Sequence, residues 1–270
     1  MLPIIGIIAG SGELPFSIAT NYASQEGKCY IAALEGEANL QLLQDIPYQS
    51  FKIGMVGAII EYFHKFNVQN VIFAGGINRP NFWSMKVDMV GRALLAKIIK
   101  QKFLGDDTIL RIIANFLEEK GFKVISSQEI LLNNLENINI ITKATPLTSD
   151  IIDIELGVKL LTTLSTLDVG QSVIIEDGYI LGIEAAEGTD NLIKRCVELR
   201  KKPKGGVLVK MLKLDQDIRL DIPTIGPDTI THLANQAYNG IAISKDKVII
   251  INPKTTIEVA NLLGLFIVRV

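Results

Sequence analysis

The first 130 residues alternate short, wholly apolar runs with longer stretches of helical apolar spacing. Ile4-Ile5-Gly6-Ile7-Ile8 reads as a strand, followed by the turn Ala9-Gly10-Ser11-Gly12 and a helix from Leu14 to Gln25 that ends at Gly27. Tyr30 to Leu34 is the next strand. Val56 to Phe66 has helical spacing, and Val71-Ile72-Phe73-Ala74 is a buried strand ending in Gly75-Gly76. Residues 86–103 and 108–120 read as helices, with Asp106 or Asp107 as the cap of the second and Gly121 as its end. Val124-Ile125 is a further strand. Runs buried on both faces, alternating with helices, predict a parallel Rossmann-like sheet.

The alternation breaks at 132–149, a stretch holding Asn133, Asn134, Asn137, Asn139, Pro146 and Ser149. It is the natural linker between a domain at 1–131 and another at 150–270. The second half opens with a helix over 150–167. Ser172–Glu176 and Tyr179–Glu184 flank Asp177-Gly178, a two-residue hairpin signal. A helix at 190–200, a strand at 206–210, a helix at 228–237, paired strands at 240–244 and 247–251, a helix at 254–263 and a strand at 265–269 follow. The expected fold is therefore α/β: a Rossmann-like parallel-sheet domain, then a second α/β domain with antiparallel pairs.

A chain of 270 residues with 48% hydrophobic content can bury a large core in two domains. A net charge of -2 gives no basic field for nucleic acid, so no nucleic-acid partner is expected. Cys29 and Cys196 lie far apart with no Cys-x-x-Cys partner, which predicts core thiols in a reduced, cytoplasmic protein. The N-terminus lacks a charged leader, and no apolar stretch reaches the ~20 residues that span a bilayer. A soluble or membrane-surface protein is expected.

Gly10, Ser11 and Gly12 form a glycine-rich turn after the first strand. Gly75, Gly76, Asn78 and Arg79 form another after the strand at 71–74. Both turns belong at the carboxyl edge of an open parallel sheet, where ligands bind, and Arg79 can fork onto a phosphate. The spacing is not Gly-x-Gly-x-x-Gly, and no acidic residue ends the second strand in the usual place. Both points disfavour a nicotinamide-dependent oxidoreductase.

Only His64 and His232 exist. Two histidines cannot supply a calcineurin-like di-metal site, and no Gly-x-Ser-x-Gly elbow supports a serine triad. Carboxylates are the remaining source of chemistry. They gather in Gly105-Asp106-Asp107-Thr108, in Glu184-Ala185-Ala186-Glu187-Gly188-Thr189-Asp190, and in Arg219-Leu220-Asp221-Ile222-Pro223-Thr224-Ile225-Gly226. Carboxylates beside Gly and Thr in turns can hold a hard cation and a phosphate together. Asp106, Asp107, Glu187, Asp190 and Asp221 are the candidate Mg²⁺ ligands. Thr108, Gly188, Thr189 and Thr224 join the glycine turns as substrate-binding candidates. Lys210 and Lys213 stand upstream of Asp221, which lies between Leu220 and Ile222 and reads as a partly buried, paired carboxylate. Asp190 alone also reads as a helix cap.

Five motifs together resemble the LpxI-type UDP-2,3-diacylglucosamine diphosphatases of lipid A biosynthesis: Ile8-Ala-Gly-x-Gly-x-Leu-Pro15, Ala74-Gly-x-x-x-Arg-Pro80, Gly105-Asp-Asp107, Glu184-Ala-x-Glu-Gly-Thr-Asp190 and Asp221-x-Pro-Thr-Ile-Gly226. The resemblance runs from Ile4 to about Phe266. It departs at Leu214, where the family has proline after the second lysine of Lys210-x-x-Lys213. The resemblance implies two domains with a ligand cleft between them and Mg²⁺-dependent hydrolysis of the diphosphate to UMP and 2,3-diacylglucosamine 1-phosphate. It also implies attack at the phosphorus next to the sugar, and Asp221 as the catalytic aspartate. The implied partner is a diacylated UDP-sugar met at the inner-membrane surface, and a homodimer is compatible with this reading. A non-catalytic nucleotide or phosphosugar binder is the competing class, because the glycine turns alone would serve it.

Overall fold

The computed structural model describes residues 2–78, 81, 85–101, 105–131, 141–167, 169–214, 216–245 and 247–270, with the backbone alone at Asp106. By its contacts the chain forms two compact units, Met1–Leu132 with Asp217–Asp221, and Asn133–Gln216 with Ile222–Val270.

The first unit is a five-stranded parallel sheet. Its strands are β1 (Ile5–Ala9), β2 (Cys29–Leu34), β3 (Tyr48–Phe51), β4 (Asn70–Ala74) and β5 (Lys123–Val124), in the order β3-β2-β1-β4-β5. Every residue of β1 is buried, as expected of a strand covered on both faces. The helices are α1 (Leu14–Ser24), α2 (Val56–Lys65), α3 (Met89–Ile99) and α4 (Asp106–Glu119). Phe63, Val71, Leu94, Leu117 and Val124 lie in one apolar core with Phe51 from β3. Strand β3 was not expected, because Tyr-Gln-Ser-Phe is an edge strand whose first three residues are exposed. Gly105, not Asp106 or Asp107, caps α4, so both aspartates fall in its first turn, where a carboxylate favours the helix dipole.

One side chain ties two of these helices together. The Asp88 carboxylate caps α3 by accepting from Gly91 N at 2.6 Å. Its other oxygen accepts from Gly57 N at 2.7 Å and Ala58 N at 3.2 Å, in the first turn of α2, which lacks a side-chain cap of its own.

The short segment Asp217–Asp221 completes this unit. Leu220 is 5% exposed and belongs to the same apolar core. Arg219 grips Asp217 through Nε at 3.0 Å and Nη2 at 2.7 Å, and reaches Glu118 on α4 at 2.9 Å. Asp217 N donates to Asp107 Oδ1 at 3.3 Å. The guanidinium of Arg219 holds the Asp217 carboxyl below its ordinary value, with a smaller opposing push from burial.

The second unit holds β6 (Ser172–Glu176), β7 (Tyr179–Ile183), β8 (Val207–Lys210), β9 (Thr224–Ile225), β10 (Gly240–Ile243), β11 (Ile249–Ile250) and β12 (Phe266–Arg269). A mixed sheet runs β12-β10-β8-β6-β7, with β6 antiparallel to both β7 and β8. Alternation along these strands sorts side chains by face. Ile174, Leu208, Ile241 and Ile267 pack with residues of α6 (Thr189–Cys196), α7 (Pro227–Asn235) and α8 (Pro253–Leu263). Val173, Val209, Ala242 and Val268 pack with Ile154 and Leu161 of α5 (Thr148–Leu164). The β6–β7 turn places Asp177 and Gly178 at φ 50° and 76°, as a two-residue hairpin requires.

The strands at 240–244 and 247–251 do not pair with each other, which corrects the expected pairing. β10 sits between β12 and β8 as an interior parallel strand, and β11 pairs with β9 in a separate two-stranded sheet. Apolar periodicity marks a buried strand but carries no information about its neighbour. Of the expected linker, 132–140 lies outside the described residues.

Two outcomes test this description. Asp88→Ala leaves three helix-terminal N–H groups without their acceptor and should lower unfolding free energy by about 2–4 kcal/mol in urea titration. Asp217 contributes its full stability above its unfolded pKa of about 3.9 and loses it as pH falls through the lower folded value. Asp217→Asn should therefore destabilise at pH 7, and its difference from the unsubstituted chain should shrink as pH falls below about 4. A difference that persists unchanged at pH 2 would show the carboxylate's charge to be irrelevant.

Candidate functional site

Winding in the first sheet reverses between β1 and β4: β2 and β3 are added on one side, β4 and β5 on the other. Such a switch point opens a crevice at the carboxyl ends of the strands. Both glycine turns stand there. Gly10 N donates to Ala74 O at 2.8 Å and Ser11 N to Gly76 O at 2.7 Å. The Ser11 hydroxyl reaches Gly76 O at 3.0 Å. A Cβ on Gly10 would lie 2.2 Å from Gly76 O, and one on Gly75, at φ +86°, would lie 2.2 Å from Ser11 O. Glycine is required at both positions by this close approach. Gly12, at φ +83°, faces open space. Asn78 donates to Glu37 Oε2 at 3.1 Å, linking the loop after β4 to the loop after β2. Arg79 lies outside the described residues.

A carboxylate does stand at the end of β2, contrary to the sequence reading. Glu35 follows Leu34 directly, and its N–H continues the ladder to Phe51 O at 2.9 Å. The expected strand already ended at Leu34, so Glu35 was adjacent in the sequence and was overlooked. The broken glycine spacing still argues against a dinucleotide fingerprint.

In the second unit, Lys210 and Thr189 meet. Lys210 ends β8, is 8% exposed, and its Nζ donates to Thr189 Oγ1 at 2.8 Å. Thr189 opens α6 after Gly188, at φ 78°, and donates to Glu184 Oε1 at 2.9 Å. The fully buried Ser172 hydroxyl lies 3.3 Å from Thr189 Oγ1. Lys213 N donates to Gln216 Oε1 at 3.4 Å, and Thr224 is paired in β9 opposite Ile249. Ser172 went unmarked in the sequence, and Glu184 was marked only as the start of its motif, with no ligand or substrate role.

The candidate metal ligands have separate partners. Asp107 pairs with Arg111 at 2.7 Å, one turn along α4, with Thr108 beside it in the first turn. Glu187 pairs with Arg195 at 2.8 Å and helps line an open groove of about 650 Å³ with Ala185, Asn191, Lys194 and Glu198. Burial pushes the Glu187 carboxyl up, but backbone hydrogen bonds and Arg195 outweigh it and leave it below its ordinary value. Asp190 lies 3.2 Å from His232 Nδ1 and does not cap α6, whose cap is Gly188. Asp221 is exposed, a correction to its expected partial burial. Leu220 and Ile222 take the inward positions, which turns the side chain between them outward. The Asp106 side chain lies outside the described residues.

Among the described residues, no group of three or more His, Cys, Asp or Glu side chains is arranged to hold a metal ion. Magnesium is commonly held by one or two carboxylates with substrate phosphates completing the shell, so oxygen donors such as Asp221 and Asp107 fit it in chemistry. Zinc chemistry is poorly served. His64 stacks on Phe122 at 4.6 Å, Cys196 is buried in the core, and burial pushes its thiol up. Cys29 is half-buried, and burial pushes its thiol up too. Among the described residues no helix is long and apolar enough to cross a membrane.

Comparison with known proteins agrees with these motifs. Residues 4–134 match the LpxI N-terminal domain and residues 137–268 the LpxI C-terminal domain. The UDP-2,3-diacylglucosamine pyrophosphatase LpxI of Caulobacter vibrioides is 29% identical over 272 aligned positions, covering 98% of this chain and 97% of that protein. With both domain models matched in order along nearly its whole length, the chain belongs to the LpxI family.

Proposed function

We propose that this protein hydrolyses the diphosphate of UDP-2,3-diacylglucosamine to UMP and 2,3-diacylglucosamine 1-phosphate in lipid A biosynthesis, with Mg²⁺. The observation that carries the proposal is the near full-length match to a protein named for that activity. The reaction adds water at the phosphorus next to the sugar. The bond from that phosphorus to the bridging oxygen breaks, and UMP leaves with the oxygen. Mg²⁺ would supply neutralisation of the diphosphate charge. UMP is a good leaving group, so no strong general acid is needed, in keeping with the scarcity of histidine.

Asp221 is the proposed catalytic carboxylate. Its exposure gives it access to water, and a general base must reach the proton it removes. The clamp of Asp217, Arg219 and Glu118 fixes the backbone immediately before it. Lys210 and Lys213 supply positive charge against the diphosphate, while Gly10, Ser11, Gly12, Gly75 and Asn78 offer backbone and polar contacts at the switch point. The Glu187–Arg195 and Asp190–His232 pairs would have to open for either carboxylate to ligate a cation. Substrate bearing two acyl chains would be met at a membrane surface.

Incubation with UDP-2,3-diacylglucosamine and Mg²⁺ should release UMP, and retention of intact substrate by the folded protein would overturn the assignment. Asp221→Ala should lower turnover by about 10²–10⁴-fold while substrate still binds; near-normal turnover would remove Asp221 from the chemistry. EDTA should abolish hydrolysis and Mg²⁺ restore it, whereas full activity after thorough chelation would exclude the metal.

A further inference from the structure

Lys210 is buried, and among the described residues no carboxylate pairs with its ammonium. Its Nζ makes one hydrogen bond among the described residues, to the neutral hydroxyl of Thr189 at 2.8 Å, and no ion pair. A buried ammonium held by one hydroxyl is costly unless an anion completes its shell. The carboxylate of Glu184 reaches it only through the Thr189 hydroxyl, which both bond.

Proton accounting at Thr189 assigns the roles. Its hydroxyl has one proton and two lone pairs. The proton goes to Glu184 Oε1 at 2.9 Å, since an ionised carboxylate can only accept. One lone pair accepts from Lys210, and Ser172 Oγ, at 3.3 Å, is placed to donate to the other. Thr189 is then fully satisfied and has nothing left for a ligand. Lys210 retains two N–H donors. Glu184 is itself fixed, because Oε2 accepts from Gln171 N at 3.2 Å.

We propose that Lys210 is a seat for phosphate oxygens, and that Glu184 and Thr189 are positioning residues that hold its ammonium in place while leaving two of its donors unused. Under the function proposed above, the occupant is the substrate's diphosphate. That identification rests on that function, whereas the seat itself rests on the geometry of Lys210. Thr189, marked by the sequence for substrate, acts through Lys210 instead. Ser172 backs the arrangement from the start of β6.

The probe is inorganic pyrophosphate, whose binding is measured by calorimetry on the full chain, alongside KM and kcat for UDP-2,3-diacylglucosamine. Lys210→Met keeps the buried stem and removes the charge. It should weaken pyrophosphate binding by about 10- to 100-fold and raise the thermal midpoint. Thr189→Val should weaken binding by about tenfold and act on KM more than kcat, while Thr189→Ser, which keeps the hydroxyl, should restore it. Glu184→Ala should resemble Thr189→Val, and Glu184→Gln, whose amide oxygen still accepts, should recover most of the loss. A Lys210→Met chain with a lowered midpoint and unchanged pyrophosphate affinity would make Lys210 structural and overturn the seat. If Lys210→Met does not fold, equal affinity in Thr189→Val and the unsubstituted chain would overturn it. Pyrophosphate bound through Lys210 by a chain that releases no UMP would sink the hydrolase assignment and leave the seat standing.

Discussion

Two backbones meet where the first sheet reverses its winding, and that meeting constrains the whole of the first unit. The turns after β1 and β4 are joined by amide-to-carbonyl bonds from Gly10 and Ser11. Neither Gly10 nor Gly75 has room for a Cβ. The register of the two central strands is locked at the edge where ligands bind in folds of this type. Because the seam uses main-chain groups, the polar side chains around it, Ser11, Asn78 and Glu37, stay on the surface.

The second unit handles charge differently. There a lysine is drawn inward at the end of a central strand, and among the described residues its ammonium bonds a hydroxyl rather than an opposing ion. Glu187 and Asp190, the carboxylates most conspicuous in the sequence of that unit, are occupied on the surface with Arg195 and His232. Conspicuous charge in a motif and engaged charge in the fold are thus separate properties.

Much of the fold was legible. Elements with a strong apolar period, such as β1, α2, β6, α5 and β12, fall within a few residues of their expected bounds, because burial of one face or both leaves a mark in the sequence. What escaped reading was set by partners distant in the chain. β3 is an edge strand with an almost wholly exposed pattern, so no apolar period marked it. β10 and β11 are both apolar, so proximity in sequence suggested a pairing that the fold does not make. At the site, the glycine turns and Lys210 were readable from residue type and position. The hydroxyl link of Thr189 to Lys210 and Glu184 was not, since it requires the ends of β6, β7 and β8 to converge on the start of α6. The sequence reading places Asp88 inside a helix over 86–103, whereas it caps that helix and serves a second one some 30 residues upstream.

The return of Asp217–Asp221 to the first unit has a consequence for how the chain acquires its structure. Leu220 enters a core whose other strands and helices end by Val124, so the first unit is unfinished until synthesis has passed almost another hundred residues. A fragment cut at the boundary between the two matched family domains, near residue 135, would carry an empty place for Leu220 and an unanswered charge at Glu118. The segments recognisable as sequence modules are not the compact units of the structure. The carboxylate nominated for catalysis is delivered last, on the strand of chain that closes the first core.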